Sequence, residues 1–206
     1  MDKLDLTKKY KPYFTAKAIP EIINVEPAQF LSITGKGDPS APEFAHNIEA
    51  LYSTAYVIKF AFKSKGMDFV VSKLEGLWWY DEQKYPGKTM ETAVEVPRSD
   101  WHYKLLIRLP DYVREPDVIT AIETVVTKKN ITLANEVKYF EMTEGRSVQM
   151  LHVGPFSTEL ETLKKIGAFI TTNKFAKNGL HHEIYLSDFR KTEPDKLKTI
   201  LREPVI

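Results

Sequence analysis

The sequence predicts an α+β fold made of two pseudo-symmetric modules, each with the order strand, helix, strand, strand. That order of patterns occurs twice along the chain, and a Gly-x-x-Ser motif, at Gly37 and again at Gly154, precedes the helix in both copies. In both copies, a strand after the helix carries a glutamate with an aromatic residue just downstream. The modules span about 26–110 and 137–206, and we expect a ligand cleft between their sheets.

The first module has a clear helix between short strands. Alternating or continuous apolar residues predict strands over 30–34, 69–80 and 101–109. Ser40 has the character of a helix N-cap, with proline and glutamate in the turn that follows. Apolar residues at helical spacing then continue until Gly66, a typical C-terminal residue of a helix.

The second module repeats this order after a linking helix. Apolar periodicity and a proline in the first turn predict the linking helix after Pro110. The turn residues Glu144 and Gly145 predict a β-hairpin between the two strands that flank them. The predicted elements are strands over 137–142 and 147–153, a helix from about 157 to 173, and strands over 181–186 and 197–202.

Residues 1–25 are predicted to be a loosely attached lead-in, separate from a domain over 26–206. This segment is rich in lysine and is interrupted by Pro12 and Pro20. It is too short for a helix-turn-helix unit, so we do not expect a transcription regulator in one chain.

The composition of the 206-residue chain excludes several functional classes. Hydrophobic residues make up 43% and charged residues 28%, which is enough to bury a core. The net charge of +1 provides no electrostatic basis for binding nucleic acid or an anionic membrane. The absence of cysteine excludes thiolate chemistry and disulfides. With no signal peptide pattern and no apolar run of membrane-spanning length, we expect a cytoplasmic protein.

The stretch from Lys73 to Tyr80 is the most unusual part of the sequence, because it combines one carboxylate with three large aromatic residues. Strand alternation places Trp78 on one face with Gly76, and Glu75 on the other face with Trp79. Gly76 leaves a gap that indicates close approach by another group. Aromatic walls near a carboxylate suit a flat, hydrophobic or cationic small molecule, although such residues also commonly form the core of a sheet.

The segment His181-His182-Glu183 does not predict a metal site. Adjacent histidines in a strand face opposite ways, so only His181 and Glu183 could share an ion. Glu183 and Tyr185 lie on one strand face, about 7 Å apart. If that face lines a pocket, the carboxylate can attract a cation or accept a proton from water, and the phenol can donate a hydrogen bond. An exposed strand face with no function is the simpler alternative.

Several motifs resemble those of the GyrI-like small-molecule-binding family. The resemblance is carried by the Leu74–Trp79 segment, by Met150–Phe156, by His181–Asp188 and by Lys196–Val205. The resemblance covers nearly the whole chain after the lead-in, and the Leu74–Trp79 segment is similar to the stand-alone branch of the family. It implies a fold of two modules around a ligand cleft.

The resemblance implies a cleft with a glutamate at its centre, which maps onto Glu183, with Tyr185 close by as a second catalytic residue. Some stand-alone relatives hydrolyse cyclopropanoid compounds, so we expect a hydrolase for such electrophilic xenobiotics that needs no metal or other cofactor. A non-catalytic binder of multiple drugs, or a module that acts on another protein, is the alternative. The expected ligand-binding residues are Trp78, Trp79, Trp101, Tyr103, Glu75 and Phe156.

Overall fold

The computed structural model describes residues 3–89 and 92–206, over which the chain forms four α-helices and eight strands. The helices are α1 (Leu6–Lys9), α2 (Pro42–Ser64), α3 (Glu115–Lys129) and α4 (Glu159–Thr172). The strands are β1 (Glu21–Val25), β2 (Ala28–Lys36), β3 (Leu74–Trp79), β4 (His102–Arg108), β5 (Lys138–Met142), β6 (Gly145–Val153), β7 (His181–Tyr185) and β8 (Lys198–Pro204).

All strands belong to one antiparallel sheet in the order β1-β6-β8-β7-β3-β4-β2-β5. The two predicted modules are present as β2-α2-β3-β4 and β6-α4-β7-β8, and they meet where β3 pairs with β7. The α+β class and the two-module order are therefore confirmed. The linking helix α3 packs on α2.

The predicted hairpin between β5 and β6 is wrong. β5 pairs with β2, whereas β6 pairs with β1 and β8, so the two strands lie near opposite ends of the sheet order. Gly145 has a φ of +71° that bends the chain without reversing it. The bend lies opposite a similar one between Val25 and Ala28, and pairing continues in register on both sides of it. The chain runs from β1 into β2 at one bend and from β5 into β6 at the other. These two continuous segments therefore connect the β1–β6 end of the curled sheet with its β2–β5 end.

The N-terminal segment is not loosely attached, contrary to the prediction. Leu6, Tyr13 and Phe14 are buried in a core with Leu77 and Ile184, on the sheet face opposite α2. Strand β1 adds the segment to the sheet edge. Its apolar residues occur in short pieces without a sustained period, so no pattern revealed that they cover a face of the sheet.

The other face of the sheet is covered by helices. One large core lies between α2, α3 and the first module, and a smaller one lies between α4 and the second module. Trp78 and Tyr185 belong to the larger core, so the seam between modules opens on this helical face. Within the described ranges, no helix is both long enough and apolar enough to traverse a lipid bilayer.

Candidate active site at the module seam

The centre of the site is the pairing of β3 with β7. Gly76 lies opposite Glu183, and Trp78 lies opposite His181. Because side chains alternate along a strand, all four residues and Tyr185 share the helical face of the sheet. The antiparallel pairing thus joins the tryptophan-rich strand of one module to the glutamate-bearing strand of the other.

A short chain of hydrogen bonds connects the two catalytic candidates with a tryptophan. The Tyr185 hydroxyl donates to Oε2 of Glu183 at 2.7 Å, and Nε1 of Trp78 donates to the Tyr185 oxygen at 3.1 Å. Gly76 makes this possible, since a Cβ at that position would lie 2.8 Å from Trp78 Nε1 and 3.0 Å from the Tyr185 oxygen. The predicted close approach at Gly76 is therefore present, and the approaching groups belong to the site itself.

His181 connects Glu183 to a further carboxylate. Its Nε2 lies 3.2 Å from Glu183 Oε1, and its Nδ1 lies 2.5 Å from Glu203 Oε1. Burial by itself lowers the pKa of His181, but the attraction of Glu203 and Glu183 outweighs burial and raises that pKa well above its ordinary value. His181 is therefore an imidazolium at neutral pH, and it donates one N–H to each carboxylate.

Tyr185 remains a neutral phenol. Burial, followed by the charge of Glu183, raises its pKa well above the ordinary value. A phenol in this state donates a hydrogen bond to a developing oxyanion without readily losing its proton.

A cavity of about 470 Å³ opens beside this chain of hydrogen bonds, a volume that suits a drug-sized ligand. Its wall contains residues of both modules and of the β3–β4 loop: Trp78, Trp79, Tyr80, Glu82, Tyr85, Gly87, Lys88, Thr89, Ala93, Trp101, Leu163, Ile170, Lys177, Leu180, His181, Glu203, Pro204 and Val205. Glu183 and Tyr185 are not in this wall. They adjoin it through their bonds to His181 and Trp78, which are.

The three tryptophans of the chain all line the cavity. Trp78 packs edge-to-face with Trp101, their ring centroids 6.5 Å apart. Trp79, the last residue of β3, stacks on His102 and also contributes to the wall. Strand alternation places Trp78 and Trp79 on opposite faces of β3, but the end of β3 lies at the rim of the cavity and both side chains contribute to its wall.

The other predicted ligand-binding residues have different positions. Tyr103 is only 1% exposed, packs edge-to-face on Phe44 and accepts a hydrogen bond from Asn47, so it supports the wall from the core. Phe156 is 41% exposed and contacts the Tyr185 ring edge-on, at a centroid distance of 5.9 Å. It therefore lies beside the Glu183–Tyr185 pair rather than in the cavity wall.

Glu75 does not fit the predicted role in ligand binding. It is fully buried on the opposite face of the sheet, where its Oε2 accepts hydrogen bonds from Tyr13 at 2.5 Å and from His182 at 3.0 Å. Strand alternation explains the position, because Glu75 precedes Gly76 and must face the other way.

Glu75 belongs to a buried polar network that sequence analysis missed. The second ring N–H of His182 donates a hydrogen bond to Glu144 at 2.8 Å, and Arg202 donates to Glu144 and to the carbonyl oxygen of Tyr13. Burial lowers the pKa of His182, but Glu144 and Glu75 raise it to about 9 overall. Burial alone would raise the pKa of Glu144, but His182 and Arg202 lower it to about 2. The network fastens the N-terminal segment to the sheet.

Sequence analysis also missed three residues near the module seam. Glu203 and Lys88 line the cavity, and Glu159 lies at the start of α4. Their motifs carry no local chemical signature, and only the tertiary fold brings them to the seam. Within the described part of the chain, no group of three or more histidine, aspartate or glutamate side chains is arranged to hold a metal ion.

Solved structures with the same fold include two proteins from Listeria innocua. An uncharacterized conserved protein is 38% identical, with a TM-score of 0.88, over 99% of this chain and 100% of that one. A hydrolase is 37% identical, with a TM-score of 0.85, over the same shares of the two chains. The C-terminal domain of EcmrR, 7% identical with a TM-score of 0.59 over 91% of this chain and 96% of its own, shows the fold alone.

No curated protein matches the chain. The model of the GyrI-like small-molecule-binding domain matches residues 19–205, which is most of the sequence and includes both modules. The chain therefore belongs to the GyrI-like small-molecule-binding family.

Proposed function

We propose that this protein binds lipophilic, aromatic or cationic small molecules at the module seam and hydrolyses cyclopropanoid-type electrophiles there. The observation that carries the proposal is the hydrogen-bonded pair of Glu183 and Tyr185 beside a cavity lined by tryptophans. A carboxylate and a neutral phenol next to an aromatic cavity provide a proton acceptor, a hydrogen-bond donor and a binding surface for a flat ring.

Relatives support the hydrolytic part of the proposal. Two Listeria innocua structures described as hydrolases are 37% identical to this chain, and each is covered over its full length. At this identity and coverage, the resemblance extends to both modules and therefore to the seam. The resemblance to the stand-alone branch of the family supplies the cyclopropanoid class of substrate.

The proposed reaction opens a cyclopropane ring fused to a dienone. The oxygen of a water molecule attacks a ring carbon, one C–C bond of the cyclopropane breaks, and its electron pair moves through the dienone to the carbonyl oxygen. Glu183 accepts the proton that the water loses. The product is an alcohol with an aromatic phenol, and its atoms equal those of the substrate plus one water.

Tyr185 stabilises the charge that develops on the dienone oxygen. Its hydroxyl donates to Glu183, but a hydroxyl hydrogen rotates about its C–O bond and can turn to a substrate oxygen. Trp78 continues to donate to the Tyr185 oxygen, which holds the phenol in place. The raised pKa of Tyr185 keeps it a donor throughout.

The test is to incubate the protein with a cyclopropanoid and follow the ring-opened product by mass spectrometry. Glu183→Gln and Tyr185→Phe are each expected to lower kcat about 100-fold or more, the usual contribution of a general base or an oxyanion donor. Glu161→Gln and Tyr56→Phe change exposed residues of the same types and serve as controls. Unchanged turnover in Glu183→Gln and Tyr185→Phe would contradict the assigned roles.

Non-catalytic binding of lipophilic cations is the second candidate function. It is favoured by the aromatic rings of the cavity wall, because an organic cation can bind over the face of a tryptophan or tyrosine ring. Because Trp78, Trp79 and Trp101 all line the cavity, an aromatic cationic dye bound there should quench tryptophan fluorescence. Saturable quenching that Glu183→Gln weakens, together with no product from any electrophile, would favour this function over hydrolysis.

A further inference from the structure

Glu159 lies on the same side of α4 as two residues of the cavity wall, although it is not itself part of that wall. Leu163 and Ile170 of the same helix line the cavity. Residues four and eleven positions after Glu159 lie within about 40° of it around a helix, so the three side chains form one row. Glu159 is the first residue of the helix and ends this row at the helix N-terminus.

A second row, on β7, ends at the same place. His181 lines the cavity, and Glu183 and Tyr185 follow on the same strand face in steps of about 7 Å. Phe156, three residues before Glu159, contacts the Tyr185 ring at a centroid distance of 5.9 Å. The start of α4 therefore lies over the Glu183 and Tyr185 end of β7.

The Glu159 side chain is unsatisfied at this position. Its Oε1 atom is buried, and within the described residues it has no hydrogen-bond partner. A buried carboxyl oxygen without a partner costs free energy, and a catalytic role is one of the explanations for such a group. The unpaired oxygen points to a ligand group that completes its bonding.

The chain around Glu159 is fastened in place. His152 is buried, with Nδ1 2.9 Å from the Thr162 hydroxyl and Nε2 3.2 Å from the Pro155 carbonyl oxygen. Gly154 has a φ of +137°, a backbone conformation that glycine adopts readily. The first turn of α4 is thus held from both sides, and the position of Glu159 is set before any ligand arrives.

We infer that Glu159 is a second catalytic carboxyl group, which donates a proton to the dienone oxygen while Glu183 accepts one from the attacking water. This inference rests on the hydrolase function proposed above. It assigns the acid and the base of the reaction to two carboxyl groups on facing elements, one at the start of α4 and one on β7.

The environment of Glu159 agrees with an acid that is protonated at neutral pH. Burial, followed by the charge of Glu183, raises its pKa well above the ordinary value, and the nearby His181 opposes that effect. The positive end of the α4 dipole also opposes it. Tyr185, which is close enough to be affected by Glu159, is a neutral phenol and adds no charge.

A separate acid balances the reaction. Ring opening moves an electron pair onto the dienone oxygen, which must gain a proton to become a phenol. Tyr185 can donate a hydrogen bond to this oxygen, but its raised pKa makes it a poor source of the proton itself. Glu159 gives up its proton and becomes a carboxylate, while Glu183 becomes protonated. Proton exchange with solvent then restores both groups.

The test is to compare Glu159→Gln with wild type and with Glu161→Gln, which removes an exposed carboxylate two residues further along the helix. Glu159→Gln is expected to lower kcat for a cyclopropanoid about 100-fold and to change the alkaline limb of the kcat profile, because Glu159 no longer contributes to that limb while His181 still does. Tryptophan quenching by a substrate analogue should change less than threefold, and Glu161→Gln should match wild type. Infrared difference spectra should show a protonated carboxyl band in wild type that Glu159→Gln lacks.

Three outcomes would overturn the inference, and they differ from one another. Wild-type kcat and an unchanged alkaline limb in Glu159→Gln would overturn it while leaving the proposed hydrolase intact. A carboxyl band that persists in Glu159→Gln would assign the proton to another group. No turnover by the wild-type protein would overturn the hydrolase function, and the assignment of Glu159 with it.

Discussion

The buried His182, on the sheet face that the N-terminal segment covers, predicts a pH dependence of stability. His182 is fully buried between Glu144 and Glu75, and its pKa is raised from 6.5 to about 9. A group with a raised pKa in the folded state stabilises that state fully below the unfolded pKa. This contribution is lost as the pH rises from 6.5 through about 9.

The size of the effect follows from the pKa difference. Each pKa unit corresponds to about 1.4 kcal/mol, so a rise from 6.5 to about 9 contributes about 3 kcal/mol to the free energy of unfolding. The lowered pKa of Glu144 describes the same contact from the carboxylate side and is not added. That carboxylate instead makes the protein lose stability as the pH falls below about 4.5 towards 2.

The assay is urea unfolding from pH 6 to pH 10 on wild type and His182→Gln. The free-energy difference between the two is expected to be largest at pH 6 and to shrink by about 3 kcal/mol by pH 10. Comparison with this variant removes the parallel titration of His181, which both proteins retain. His46→Gln, an exposed position on α2, is the control and should follow wild type. A difference that stays constant across this range would refute the reasoning.

Three further predictions concern the site and the segment behind it. Gly76→Ala should weaken ligand binding at least tenfold in a fluorescence titration, because the new Cβ would lie within 3.0 Å of both the Trp78 indole nitrogen and the Tyr185 oxygen; wild-type affinity would contradict the close approach. Trp78→Phe keeps an aromatic ring but removes the donor to Tyr185, so kcat should fall about five- to tenfold. Tyr13→Phe leaves buried Glu75 without one donor and should cost about 1–3 kcal/mol in urea unfolding, with faster proteolysis of the N-terminal segment; protease resistance equal to wild type would count against a fastening role.

Alternation predicted which side chains share a strand face. It placed Trp78 with Gly76 and Glu183 with Tyr185, and in the structure the members of each pair lie on one face. Two-residue and near-four-residue periods are local properties, and burial of one face preserves them in the folded chain.

The same local patterns failed where the partner was distant. The residue types at 144 and 145 predict a hairpin turn, but Gly145, with its positive φ, bends the chain between two strands that lie near opposite ends of the sheet order. Glu75 appeared next to aromatic residues in sequence, yet its partners are Tyr13 and His182 on the opposite face. Turn propensity and composition contain no information about which remote strand a segment pairs with.

The amino-acid sequence by itself determined the α+β class, the repeated module order and the strand faces on which Glu183, Tyr185 and Trp78 lie. Only the tertiary structure decided that these faces meet, because Trp78 and Tyr185 are 107 positions apart and the pairing register of β3 with β7 brings them within 3.1 Å. It also brought Glu203, Glu159 and the β3–β4 loop to the seam. A register between distant strands is set by the packing of the whole sheet, so no local period could specify it.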